Sequence, residues 1–187
     1  MKVRHKVVRM LAVGASAAAV SLIGGGAAHA AQVTTTPVTP FAGVFNSIRN
    51  VGNNGSKCLQ PEFPVVNAKV VQEPCDASNP AQGWQSLQVG TNHYRFINQG
   101  SGLCLNAFTA AANGSPMGLS ACRNVSNEEF NTHTSLPDVV SLESRIGFRN
   151  TGFCIDVPGG RADNGLQMQL FRCNGSLAQR WVVGFDA

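Results

Sequence analysis

TGFCIDVPGGRADNGLQMQLFRCNGSLAQRW, residues 151–181, decides the architecture because the rest of the chain repeats its plan. A cysteine opens it (Cys154), a short apolar stretch follows (Ile155-Asp156-Val157), and a second cysteine (Cys173) precedes a closing Gln179-Arg180-Trp181. Two earlier segments have the same order of features. Cys58 and Cys104 precede Leu59-Gln60 and Leu105-Asn106. Cys75 and Cys122 are the second cysteines, and Gln82-Gly83-Trp84 and Glu128-Glu129-Phe130 close the units. First cysteines lie 46 and 50 residues apart, and closing aromatics 46 and 51 apart. Two independent markers on one period define an internal repeat, which must be found before any fold is assigned. Ahead of each first cysteine stands a strand-like stretch ending in Asn: Ile48-Arg49-Asn50, Phe96-Ile97-Asn98 and Phe148-Arg149-Asn150. The units are read as residues 44–91, 92–143 and 144–187.

Within each unit the apolar runs are short, and Gly, Pro and Asn break them often. No window carries a long stripe of period 3.6, so the chain reads as all-β. A four-stranded unit cannot bury a core alone. Three such units around a pseudo-threefold axis can, and closure also removes exposed sheet edges. Trp84, Phe130 and Trp181 are therefore expected in a shared core, since large aromatics dominate core burial. Six cysteines allow 15 pairings. The repeat makes pairing within each unit the economical choice: Cys58–Cys75, Cys104–Cys122 and Cys154–Cys173, each stabilising the fold by about 3 kcal/mol.

Outside the repeats, Lys2, Arg4, Lys6 and Arg9 form a basic head to an apolar run, Met10–Ile23, that ends in Ala28-His29-Ala30. That is the layout of a secretory signal peptide over residues 1–30. The run is too short to cross a bilayer comfortably, so no membrane insertion is expected. Residues 31–43 (AQVTTTPVTPFAG) read as a flexible lead-in. An exported, extracellular chain suits disulfides. Charge changes meaning with export. The full chain has 14 Lys+Arg, 10 Asp+Glu and a net charge of +4, but four of the basic residues fall in the signal and none of the acidic ones. The remaining balance is zero. No basic cluster is left for phosphates, so a nucleic-acid partner is not expected. Only His93 and His133 remain after residue 30 and there is no C-x-x-C pair, so neither a metal nor a cofactor is expected.

With these features in place, the chain resembles the ricin-type β-trefoil lectins and related carbohydrate-binding modules. The likeness rests on Cys-Ile-Asp-Val, the Gly-Gly and Asn-Gly turns, Gln-Leu-Phe-Arg-Cys and the closing Gln-x-Trp. It extends over all three units. It implies a β-trefoil and non-catalytic sugar binding, with up to one shallow site per unit. In the third unit the family's sugar-binding Asp corresponds to Asp156 and its stacking aromatic to Phe171. Gln169 falls at a polar contact position, and Gln179 corresponds to the Gln that braces the Asp. Ala178 departs from the pattern, since many members carry a sugar-bonding Asn there. The first unit has Gln60 and Glu73 in place of Asp and aromatic, and the middle unit Asn106 and Ser120, so the third unit is expected to hold the sugar. Galactose- and xylose-type glycans both fit the family, and a monomer is expected.

Two other functions compete with that of a lectin. A glycosidase needs two carboxylates flanking a bond, and only Asp156 and Asp163 lie close together in the third unit. A serine hydrolase needs a base at His93 or His133, and no Gly-x-Ser-x-Gly accompanies either. An enzyme is not expected. A protein-binding trefoil, such as a protease inhibitor or a toxin's delivery subunit, would present a protruding loop, with 63–71 the longest candidate.

Overall fold

A computed structural model of the chain describes residues 44–136 and 138–184. The signal and lead-in segments read above lie outside the described residues. Thirteen strands are present among those residues, joined by turns and single 3-10 turns. The first unit contains β1 (Arg49–Asn50), β2 (Lys57–Pro61), β3 (Val70–Pro74) and β4 (Trp84–Gly90). The second contains β5 (His93–Asn98), β6 (Cys104–Ala107), β7 (Ser115–Ser120) and β8 (Phe130–Leu136). The third contains β9 (Val139–Ser144), β10 (Phe153–Asp156), β11 (Leu166–Gln167), β12 (Gln169–Arg172) and β13 (Trp181–Val182).

First and last strands of the units close a ring. β1 pairs with β13, β13 with β9, β9 with β8, β8 with β5 and β5 with β4, and an Asn46–Trp84 bridge joins β4 back to the chain entering β1. The middle strands form three hairpins, β2–β3, β6–β7 and β10–β12. These hairpins also meet one another, through the Lys69–Gly118 bridge, β12 on β7, and β11 on β3. This is the β-trefoil expected from the repeat. All three disulfides link cysteines within a unit: Cys58–Cys75, Cys104–Cys122 and Cys154–Cys173.

Alternation along the strands explains the core. In β9, Val140, Leu142 and Ser144 point inward while Val139 and Ser141 are only partly covered, the period of two that a half-buried strand requires. Each unit sends four matching side chains to the centre. They are Ile48, Phe96 and Leu142; Leu59, Leu105 and Ile155; Val70, Met117 and Met168; and Trp84, Phe130 and Trp181, all buried. Trp84 donates its indole N–H to the Leu59 carbonyl at 2.9 Å, and Trp181 to that of Ile155 at 3.1 Å. Buried indoles need such partners.

One sequence expectation is corrected. Phe148-Arg149-Asn150 is not the strand leading into the third unit. It lies in an exposed turn, with Phe148 60% exposed and at φ 58°. The true counterpart of β1 and β5 is β9, because Glu143 pairs with Cys154 as Arg49 pairs with Cys58 and Ile97 with Cys104. The third unit's first strand thus begins at Val139, ahead of the 143/144 boundary read from sequence. Ser144, not Asn150, takes the place of Asn50 and Asn98.

Candidate functional site

Antiparallel register assembles the candidate site of the third unit. Asp156 stands opposite Gln169, and Cys154 opposite Phe171. The disulfide Cys154–Cys173 ties the same two strands together. After β12 the chain makes a 3-10 turn, Leu177–Gln179, and this returns Gln179 beneath Asp156. All four residues singled out in the sequence therefore meet. Asp156, Gln169 and Phe171 line a depression of about 360 Å³, together with Val157, Gly159, Gly160, Asn174, Ser176 and Ala178. Gln179 is fully buried behind them.

Asp156 is held from two sides. Gln169 Nε2 donates to Oδ1 at 2.8 Å, and Gln179 Nε2 donates to Oδ2 at 3.2 Å. Gln179 is itself fixed: it donates to the Arg172 carbonyl at 3.0 Å and accepts from the Asn174 N–H at 2.8 Å. Each carboxylate oxygen keeps a lone pair for another donor, since an ionised carboxylate has about four acceptor sites. Burial pushes the Asp156 carboxyl above its ordinary value of 3.8, and the hydrogen bonds from Gln169 and Gln179 oppose that rise. Phe171 is half-buried and lines the same depression as Asp156. Asp156 is the single charged side chain of the lining.

The other two units build the same frame with different chemistry. Gln82 Nε2 donates to Gln60 Oε1 at 2.9 Å, so a neutral amide replaces the carboxylate. In the middle unit Glu128 stands where Gln179 does. It accepts from Ser120 Oγ at 3.0 Å and from the Arg123 N–H, while Ser120 Oγ accepts from Asn106 Nδ2. Its buried charge faces Arg95 Nε at 3.4 Å, and Arg95 also reaches Glu129. Phe108 packs against Gly118, the counterpart of Gln169, so closely that a Cβ there would lie 1.9 Å from its ring. The middle depression, about 320 Å³, is lined by Phe108, Val66 and Val125 beside Asn106 and Asn127.

The sequence marks Gly159-Gly160 only as a turn and does not point to Asn174 or Ser176 as site residues. Counting three residues back from each closing Gln or Glu would have found Ser176, with Asn79 and Val125 as its counterparts. Asp163, the second acidic residue of the third unit, is outside the depression and pairs with Arg161 at 3.4 Å on an exposed face. His133 pairs with Glu143 at 2.6 Å, and His93 contacts Arg145 at 2.5 Å. Among the described residues no group of three or more His, Cys, Asp or Glu could hold a metal ion, and no helix is long and apolar enough to cross a membrane.

The closed ring of strands and the three hairpins define a fold class, the β-trefoil, which several solved structures share. The ricin-type β-trefoil lectin domain-like family model matches residues 41–120, the first unit and the second as far as β7. Among curated proteins, none matches the sequence. Solved structures share the fold. The designed three-fold symmetric protein ThreeFoil is 18% identical with a TM-score of 0.66, over 73% of this chain and 95% of its own. The ricin B-like lectin of Macrolepiota procera, solved with lactose, is 19% identical with a TM-score of 0.61, over 81% of this chain and 100% of its own. An exo-β-1,3-galactanase from Clostridium thermocellum is 20% identical with a TM-score of 0.65, over 74% of this chain but only 29% of the galactanase. The chain thus resembles the ricin-type β-trefoil lectins in both its sequence pattern and its fold.

Proposed function

We propose that the protein is a secreted, non-catalytic lectin that holds a neutral sugar in the third unit. The observation that carries this reading is Asp156, buried and ionisable, braced by Gln169 and Gln179 at the bottom of an open depression beside Phe171. Its free lone pairs accept two hydroxyl protons from neighbouring positions of a pyranose, and hydrogen bonds to a charged acceptor are the strong ones. Phe171 covers the apolar face of the ring. One carboxylate lines the depression, whereas glycosidic cleavage uses two, which supports binding without turnover. Galactose- and xylose-type units both present the hydroxyl pair required. A single shallow site gives an affinity near millimolar, about −4 kcal/mol. Repeated epitopes or a multimeric target then raise the working avidity.

The test is a broad glycan array probed with the wild-type protein and Asp156→Ala. Sugar binding by the wild type and none by the variant is the expected result. An array blank for both proteins defeats the reading. One observation favours a second reading: Phe63, Val65 and Val66 stand 59%, 56% and 44% exposed on the β2–β3 loop. An apolar loop of that kind suits a protein partner. Capture of such a partner, unaffected by free sugars and lost on Phe63→Ser, would favour an inhibitor or delivery role.

A further inference from the structure

Asparagine followed by glycine is a chemically labile pair, because glycine has no Cβ to shield its amide nitrogen from the neighbouring side-chain carbonyl. Four such pairs occur: Asn54-Gly55, Asn113-Gly114, Asn164-Gly165 and Asn174-Gly175. All four asparagines are exposed. The glycine N–H separates them. Gly55 donates to the Asn50 carbonyl at 3.1 Å, Gly114 to that of Leu170 at 2.9 Å and Gly165 to that of Gln72 at 3.0 Å. Gly175, exposed and at φ 68°, donates to no acceptor among the described residues. The electrophile is prepared as well. Asn174 Oδ1 accepts the Ser176 N–H at 2.9 Å. This Asx turn aims a donor at the oxygen where charge develops on attack. Asn113 Oδ1 accepts the Arg172 N–H at 2.8 Å in a similar way, so the free Gly175 N–H is what sets Asn174 apart.

We infer that Asn174-Gly175 is a self-modifying site, at which Asn174 deamidates through a succinimide while the fold stays intact. The Gly175 nitrogen gives up its proton to solvent hydroxide and attacks Asn174 Cγ. The new N–Cγ bond closes the ring, the Cγ–Nδ2 bond breaks, and Nδ2 takes a proton from water and leaves as ammonia. Water then opens the succinimide. Addition at Cγ yields aspartate with the backbone restored. Addition at the Asn174 backbone carbonyl carbon yields isoaspartate, with the chain running through Cβ. Net, one water is consumed and one ammonia released, with no change of oxidation state. The first unit shows that aspartate fits. Asp76, the counterpart of Asn174, accepts the Ser78 N–H at 2.9 Å and donates its own N–H to Gln82 Oε1 at 2.8 Å. Isoaspartate lengthens the backbone between the Asn174 N–H, which anchors Gln179 Oε1, and the turn that carries Gln179. It therefore slackens the brace on Asp156. Either product adds a carboxylate to a depression in which Asp156 is the single charged side chain. The site thus changes charge with age, whatever its ligand.

Timed incubation of the disulfide-bonded protein tests this, in mildly alkaline heavy-oxygen water and below the melting temperature. Peptide mapping by mass spectrometry then reads the conversion of each asparagine. Asn174 should convert first, about fivefold faster than each of Asn54, Asn113 and Asn164, whose glycine N–H must first break a hydrogen bond. Anion exchange should show one added negative charge while the near-ultraviolet spectrum stays unchanged. Gly175→Ala should slow Asn174 to the rate of the other three, and Asn174→Asp, which the first unit shows to be tolerated, should abolish the early charge change. Equal conversion at the four sites, earlier conversion elsewhere, no conversion at Asn174, or conversion only in step with unfolding would overturn the inference. So would an early charge change that persists in Asn174→Asp.

Discussion

Asp156 combines two demands that pull in opposite directions. Under the proposed function sugar binding needs it ionised, while burial favours the protonated form and raises its pKa. Affinity should therefore fall on acidification at a pH above 3.8, earlier than for a solvent-exposed Asp. The sign for stability is reversed. A raised carboxyl in the folded state means that ionisation of Asp156 works against folding, so its own contribution improves as pH drops through that range. A pH series of sugar titrations checks the first statement. Glu128 shows a different solution to a buried charge. The middle unit exchanges Gln for Glu, and Arg95 on β5 compensates at 3.4 Å. Arg95→Met strands that carboxylate and should cost about 3 kcal/mol. Adding Glu128→Gln should restore most of the loss, and a double-mutant cycle by urea denaturation measures it. The sequence made the third unit's four residues legible because family spacing and strand register coincide there. It hid Arg95–Glu128, since nothing in the spacing links a β5 arginine to a turn 33 positions later. It also hid the ring of Phe108 over Gly118, a contact made by side-chain direction.

At the scale of elements, buried asparagines couple neighbouring units. Asn98 Nδ2 at the end of β5 donates to the carbonyls of Ala81 and Gly83 in the first unit's turn. Asn50 does the same towards Leu177, Ala178 and Arg180 of the third. Ser144 holds the equivalent place in β9, and its buried hydroxyl has no partner. The shorter side chain fails to reach the middle unit's turn. Asn98→Ala should cost about 1–3 kcal/mol, the penalty for orphaned polar groups. Ser144→Asn should gain about 1 kcal/mol by completing the third clamp, and thermal unfolding checks both. This substitution also explains the misread strand. Phe148-Arg149-Asn150 copies the apolar-x-Asn ending, but Ser144 ends the real strand, and Val139–Ser144 carries the alternation. A motif of three residues is too short to outweigh a six-residue period. The Cys154–Cys173 bridge joins the two strands that bring Asp156 and Phe171 together. Replacing both cysteines with serine should cost about 3 kcal/mol and weaken sugar binding beyond what stability loss alone predicts.

At the scale of the whole molecule, three units share one core but not one surface. The buried triplets keep their size and apolar character, because each must fill the same space about the axis. The surface depressions have no such constraint, and only the third combines a carboxylate, a braced amide pair and a half-buried aromatic ring. The period, the closed all-β architecture and the three disulfides were legible in sequence because they recur three times. The lining of each depression was not, since it depends on which side chains reach into it. The central claim is that sugar binding resides in the third unit alone. Titration of the best array ligand into Asp156→Ala, Asn106→Ala and Gln60→Ala, each checked for an unchanged near-ultraviolet spectrum, tests it most directly. The account predicts that Asp156→Ala abolishes binding while the other two match the wild type. Binding that survives Asp156→Ala, or fails in Asn106→Ala or Gln60→Ala, would contradict it.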